Sequence, residues 1–158
     1  MQRNYDPVIH AIQETVPVQA AREARMQAVV DALWAAFGGE RGSVSWVGFY
    51  LGCTGDMELT LGPRRDKPAC SPIGLHGVCG KAFLTGNPVV VADVRELGGN
   101  YIACDPRDQS EVVVPLIGAD GRPWAVLDLD SQQTSAFSQD DVQGLKRVLA
   151  AAGLGLAL

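Results

Sequence analysis

The sequence predicts an α+β domain built on an antiparallel sheet. Two observations predict it: two pairs of strand-like segments, each pair joined by a tight turn, and amphipathic helical stretches that flank them near either end of the chain. Taken in order, "VQAAREARMQAVVDALWAAF" at 18–37 places apolar residues three and four apart around charges, and "GGE" stops it, which predicts a helix over 18–37. "SVSWVGFYL" (43–51), the turn-like "GCTGD" and "MELTLG" (57–62) predict a hairpin. Residues 63–76 are rich in Pro, Gly and charge and predict a loop, after which "GVCGKAFLTG" (77–86) predicts a short helix opened and closed by glycine. "NPVVVADV" (87–94) predicts a strand, and the segment after it a long irregular connection. "SEVVVPLIG" (110–118) and "PWAVLDLDS" (123–131) flank "ADGR", whose Asp-Gly favours a hairpin turn. In the closing stretch Ser138 can cap a helix whose first turn carries Asp140 and Asp141.

A chain of 158 residues suits one domain, 1–158, with the helix at 18–37 preceding a core over 43–158. Apolar residues make up 47% and charged residues 20%, the composition of a globular chain. A net charge of -5 without clustered Lys and Arg disfavours nucleic acid and anionic membrane as partners and favours a small ligand. The first residues lack the apolar run of a secretory signal, and no apolar stretch approaches the roughly 18–20 residues of a membrane-spanning helix, so the expected location is the cytoplasm. Four cysteines in that compartment point to metal or redox chemistry more than to a structural disulfide framework.

Alternation in "AVLDLDS" puts Val126, Asp128 and Asp130 on one sheet face and Ala125, Leu127 and Leu129 on the other. The residues alone leave the two carboxylates open between a solvated strand face and a site, and Glu111, opening the partner strand, could add a third. Three acids around one cavity are costly unless a cation or shared protons relieve them. Trp46 and Tyr50, four apart in a strand, share a face as core packing or as a ligand wall. No two of Cys53, Cys70, Cys79 and Cys104 have the close spacing of a zinc knuckle, which argues against a metal. Cys53 falls in a turn and receives no role. Cys79, near a helix start, is either a thiol favoured as thiolate by the helix dipole or a small apolar residue beneath the helix. Cys104, in a loop, is either a nucleophile or an inert buried thiol.

The ordered set "WVGFYL", "LGPRRDKPAC", "GVCG", "IACD", "SEVVVPL" and "VLDLDS" closely resembles the free methionine-(R)-sulfoxide reductases, which are single GAF-domain enzymes. The resemblance runs from about Val44 to the C-terminal helix. It implies a central antiparallel sheet with helices packed on one face and a ligand pocket on the other. It also implies that Cys104 is the catalytic cysteine, that Cys70 and Cys79 are the family's other two cysteines with Cys70 as the resolving partner, and that Trp46 and Tyr50 form the aromatic wall. Glu111, Asp128 and Asp130 match the carboxylates that hold the substrate. His76 and Tyr101 stand where the family pattern has arginine and histidine.

The activity so implied is thiol-dependent reduction of free methionine (R)-sulfoxide. Cys104 would become a sulfenic acid, Cys70 would condense with it, and thioredoxin would reduce the disulfide, with no metal or organic cofactor. The resemblance further implies a homodimer. The competing reading is a GAF-type sensor that binds a small molecule or reads oxidants without turnover.

Overall fold

The computed structural model describes residues 2–40, 42–65, 69–102 and 104–155. Asp66, Lys67 and Pro68 of the expected 63–76 loop, Ala103 beside Cys104, and the end of the expected C-terminal stretch (156–158) lie outside the described residues. Two helices come first, α1 (Asp6–Thr15) and α2 (Arg22–Phe37), followed by β1 (Trp46–Leu51), β2 (Glu58–Arg65) and the two-residue β3 (Ile73–Gly74). Then come α3 (Val78–Thr85), β4 (Val89–Val91), a 3-10 segment at Val94–Asn100, β5 (Ser110–Ile117), β6 (Pro123–Ser131) and α4 (Gln139–Ala151). The strands form one antiparallel sheet in the order β3-β2-β1-β6-β5-β4. Both expected hairpins form, and β1 pairs with β6 so that the two hairpins become one surface.

The β6 alternation sorts the two faces. Ala125, Leu127 and Leu129 are fully buried with Phe49 and Val112 against Val29, Leu33, Leu145 and Val148 of α2 and α4. Fully burying each of the Leu, Val and Phe side chains contributes roughly 1.5–3 kcal/mol, which fixes the register, because a one-residue slip would carry acids into this core. On the opposite face Val126 packs with Trp46, Tyr50, Val78, Cys79 and Phe83. The helices α2 and α4 thus pack on one face and the pocket lies on the other, as expected, with the short α3 added on the pocket side against β5 and β6.

Other boundaries also differ. The first long helix starts at Arg22 rather than 18, because Pro17 opens a turn in which the Ala20 N–H bonds the Pro17 carbonyl at 3.0 Å, leaving Val18 in solvent. Helix α1 was not expected. Its inward stripe is only Val8 and Ile12, and its fold-specific anchor lies far away in sequence. The Tyr5 hydroxyl donates to Asp141 at 2.7 Å, Arg3 pairs with the same carboxylate at 3.1 Å, and Asp141 accepts the Ser138 N–H at 2.9 Å as the cap of α4. Strand β2 runs on to Arg65 and β3 forms at 73–74, both within the segment expected to be loop, and the long connection after β4 contains the 3-10 segment.

Candidate active site

Three adjacent strands build the floor of the pocket in rows. Trp46 of β1 lies opposite Asp130 of β6, which lies opposite Glu111 of β5; in the next row Gly48, Asp128 and Val113 are aligned. Glu111 and Asp128 are thus diagonal neighbours on one face, within side-chain reach. Glycine at position 48 is required by packing, since a Cβ there would collide with the Trp46 ring. The Trp46 and Tyr50 rings lie 6.0 Å apart and form one wall.

Helix α3 roofs the floor. Gly77 precedes it, Gly86 ends it in the left-handed conformation at φ 68, and Gly80 packs so closely on the Leu75 backbone that any Cβ would clash. This fixes Cys79, in the first turn, over β6. Its Sγ donates to Asp128 Oδ2 at 3.4 Å. The opposite wall comes from the loop after the 3-10 segment: Tyr101, Ile102, Cys104, Asp105 and Asp108 line the same cavity, which measures about 60 Å³.

Cys70 and Cys104 are joined in a disulfide with Cα atoms 5.6 Å apart, while Cys79 and Cys53 are free thiols, the first buried and the second exposed. Cys104 is exposed at the cavity edge, where an external thiol can reach it. The structure thus brings together all the residues expected to form the site: Cys104, Cys79, Trp46, Tyr50, Glu111, Asp128 and Asp130 line the cavity, and Cys70 is bonded to its rim. Cys53 sits in the β1–β2 turn, outside the cavity.

The electrostatics follow from burial. Glu111 is raised well above the usual carboxylic range, first by burial and then by the charge of Asp128, and Asp130 is raised for the same reasons. Asp128 is pushed up to about 7 by burial, opposed by hydrogen bonds from Cys79 and Glu111. The shared protons therefore relieve the repulsion: Glu111 stays a neutral acid that donates to Asp128, and Asp128 is the group that ionises near neutral pH. The Cys79 thiol is also raised well above its ordinary value, by burial and then by Asp128, Glu111 and Asp130, so the thiolate that its helix position would favour does not form. Cys79, Glu111 and Asp128 each have one donor atom within 4.8 Å of the others, but a cation would have to displace the protons that link them.

Two acids that line the pocket, Asp105 and Asp108, escaped the sequence reading. Asp108 is buried, lines the cavity and accepts the Ser45 hydroxyl at 3.0 Å; burial raises its carboxyl. Its only signal was its place in the charged run after Cys104, where Arg107 and Asp105 instead pair with each other at 2.8 Å.

Residues 21–156 match the GAF domain family. The chain is 36% identical over 118 residues to a protein of Saccharomyces cerevisiae named free methionine-R-sulfoxide reductase, the match covering 73% of this chain and 65% of that one. Matched segments span 60% to 67% of the lengths of the first curated relatives. Among solved structures, the free methionine-R-sulfoxide reductase of Neisseria meningitidis in complex with its substrate superposes with a TM-score of 0.82 at 36% identity, covering 94% of this chain and 85% of that chain. The reduced form of fRMsr of Staphylococcus aureus superposes with a TM-score of 0.84 at 32% identity, covering 98% and 96%.

Proposed function

The chain belongs to the free methionine-R-sulfoxide reductase family of GAF domains, and from that premise we propose that it reduces free methionine (R)-sulfoxide to methionine. The observation that carries the reading is a Cys70–Cys104 disulfide at the rim of a cavity floored by Glu111, Asp128 and Asp130. The substrate brings an ammonium, an aliphatic stem and a polar sulfoxide. Ionised Asp128 suits the ammonium, and the Trp46–Tyr50 wall suits the S-methyl end.

The Cys104 thiolate adds to the sulfoxide sulfur while Glu111 or Asp130, held protonated by burial, protonates the oxygen. Collapse leaves that oxygen on Cys104 as a sulfenic acid and releases the substrate sulfur as a thioether. The Cys70 thiol then attacks the sulfenic sulfur, water leaves, and the disulfide forms. An external dithiol, thioredoxin in this reading, restores both thiols by mixed-disulfide exchange and is itself oxidised. The protein works as a homodimer in the cytoplasm. Among the described residues no helix is long and apolar enough to cross a membrane.

Turnover of separated epimers tests the assignment. The R epimer of the free amino acid should be reduced far faster than the S epimer or a peptide-bound residue with a dithiol as reductant, whereas ligand binding without methionine release would favour a sensor.

A further inference from the structure

We infer that Cys79 is a positioning residue and not a redox partner: its thiol donates to Asp128 Oδ2 and thereby leaves Oδ1 as the oxygen offered to the substrate. The inference rests on the reductase reading of the pocket. Three observations carry it. Cys79 is a free thiol while the two other cysteines at the cavity are bonded to each other. Its Sγ lies 3.4 Å from Asp128 Oδ2 and is 6% exposed as a residue, on a helix turn that Gly80 locks against the Leu75 backbone. Asp128 Oδ1 is buried and accepts no N–H, alcohol or thiol donor of the described residues, although its residue lines the cavity. A buried carboxylate oxygen that accepts no such donor is costly to leave so, and it is the natural place for a substrate donor.

A sulfur that donates must keep its proton. Burial and the neighbouring Asp128, Glu111 and Asp130 carboxyls all oppose ionisation of Cys79, so it is a poor nucleophile toward a sulfenic acid and a persistent donor. The Asp128 carboxylate is faced by Cys79 from α3, Glu111 from β5, Asp130 on its own strand, Tyr50 from β1, and Tyr101 and Asp108 from the loops. Of these, Cys79 and Glu111 hold its charge by donation, and the other acids oppose it.

The alanine and serine variants separate the two roles. Cys79→Ser keeps a donor and should retain kcat/KM within about threefold under repeated turnover, whereas Cys79→Ala should lose roughly 10- to 100-fold. The acid limb of the kcat/KM profile should move to higher pH in Cys79→Ala, because Asp128 loses a hydrogen bond that lowers its pKa. In a Cys53→Ser background, Cys79 is the one free thiol of the disulfide form. Its S–H stretching band should lie below that of a thiol without an acceptor, and should return upward in Asp128→Ala. Full activity of Cys79→Ala, or a Cys79→Ser enzyme that stalls after one turnover, would overturn the positioning role. An S–H band that Asp128→Ala leaves in place would overturn the hydrogen bond. A wild-type protein without turnover would sink the reductase reading instead, and the infrared band would still decide the Cys79–Asp128 pair.

Discussion

The Tyr50 hydroxyl donates to the Cys70 carbonyl at 2.8 Å, tying the aromatic wall of the pocket to the loop that carries the disulfide partner of Cys104. Tyr50 is 3% exposed, and burial followed by the Asp128 charge holds its phenol protonated, so it remains a donor at any working pH. Tyr50→Phe keeps the ring and frees the loop. Methionine release in a single turnover should change little, while disulfide formation should slow by up to about tenfold, the worth of one hydrogen bond. Trapping the sulfenic acid with a dione probe reads this directly, and an unchanged lifetime would remove the tether from the mechanism.

The two disulfide partners should fail at different steps. Cys104→Ser should release no methionine even in a single turnover, since a hydroxyl is a poor nucleophile toward a sulfoxide sulfur. Cys70→Ser should release about one equivalent and then stall under thioredoxin, because the oxidised Cys104 has no partner with which to form an exchangeable disulfide. Methionine quantified against enzyme, with a free-thiol count, distinguishes them. Continued cycling by Cys70→Ser would mean that another thiol resolves the intermediate.

Stability should fall as pH rises toward neutrality. A carboxyl whose folded pKa exceeds its unfolded value contributes stability that is fully present below the unfolded value and is lost as pH rises through the folded one. For Asp128 that window runs from the ordinary value of 3.8 to about 7, and Glu111 and Asp130 act in the same direction. The melting temperature of the disulfide form should therefore decline between about pH 4 and pH 7. Asp128→Asn should flatten the decline, since the amide carries no charge to bury. A wild-type profile that rises across the window would contradict the buried, proton-sharing arrangement.

Much of this site is legible because a strand has a period of two. "VLDLDS" places two acids on one face without any knowledge of the partner strands, and "WVGFYL" does the same for Trp46 and Tyr50. That the two sets meet depends on β1 pairing with β6, a contact between segments some eighty residues apart that no local pattern encodes. Helix α1 escaped for a related reason: Tyr5 and Arg3 gain meaning only through Asp141, which the sequence shows merely as an acid in a capped first turn. Helix position left Cys79 open between a thiolate and a packed apolar thiol, and burial against three carboxyls decides for the protonated form. Asp108 has no local pattern to mark it, and gains its place only through Ser45 and the cavity wall that enclose it.

Gly48 supplies the last test, because it separates the shape of the pocket from its chemistry. It lies between Trp46 and Tyr50 on β1, and its missing side chain makes room for the Trp46 ring above Asp128. In Gly48→Ala the new methyl would meet that ring, with Arg64 Cβ at 2.9 Å on the other side. The backbone cannot retreat, since position 48 is paired on both edges, to Asp128 and to Arg64. The ring must therefore tilt away, at the roughly 1–3 kcal/mol typical of overpacking. For a domain of this size each kcal/mol lowers the melting temperature by about 2–4 °C. The charges and thiols stay where they are. We expect the KM for free methionine (R)-sulfoxide to rise by roughly tenfold, a binding loss of about 1.4 kcal/mol, while reduction of the Cys70–Cys104 disulfide by thioredoxin keeps its wild-type rate. Near-ultraviolet circular dichroism would report the displaced indole. A variant with the lowered melting temperature and a shifted indole signal but an unchanged KM would show that Trp46 packs the core without touching the substrate.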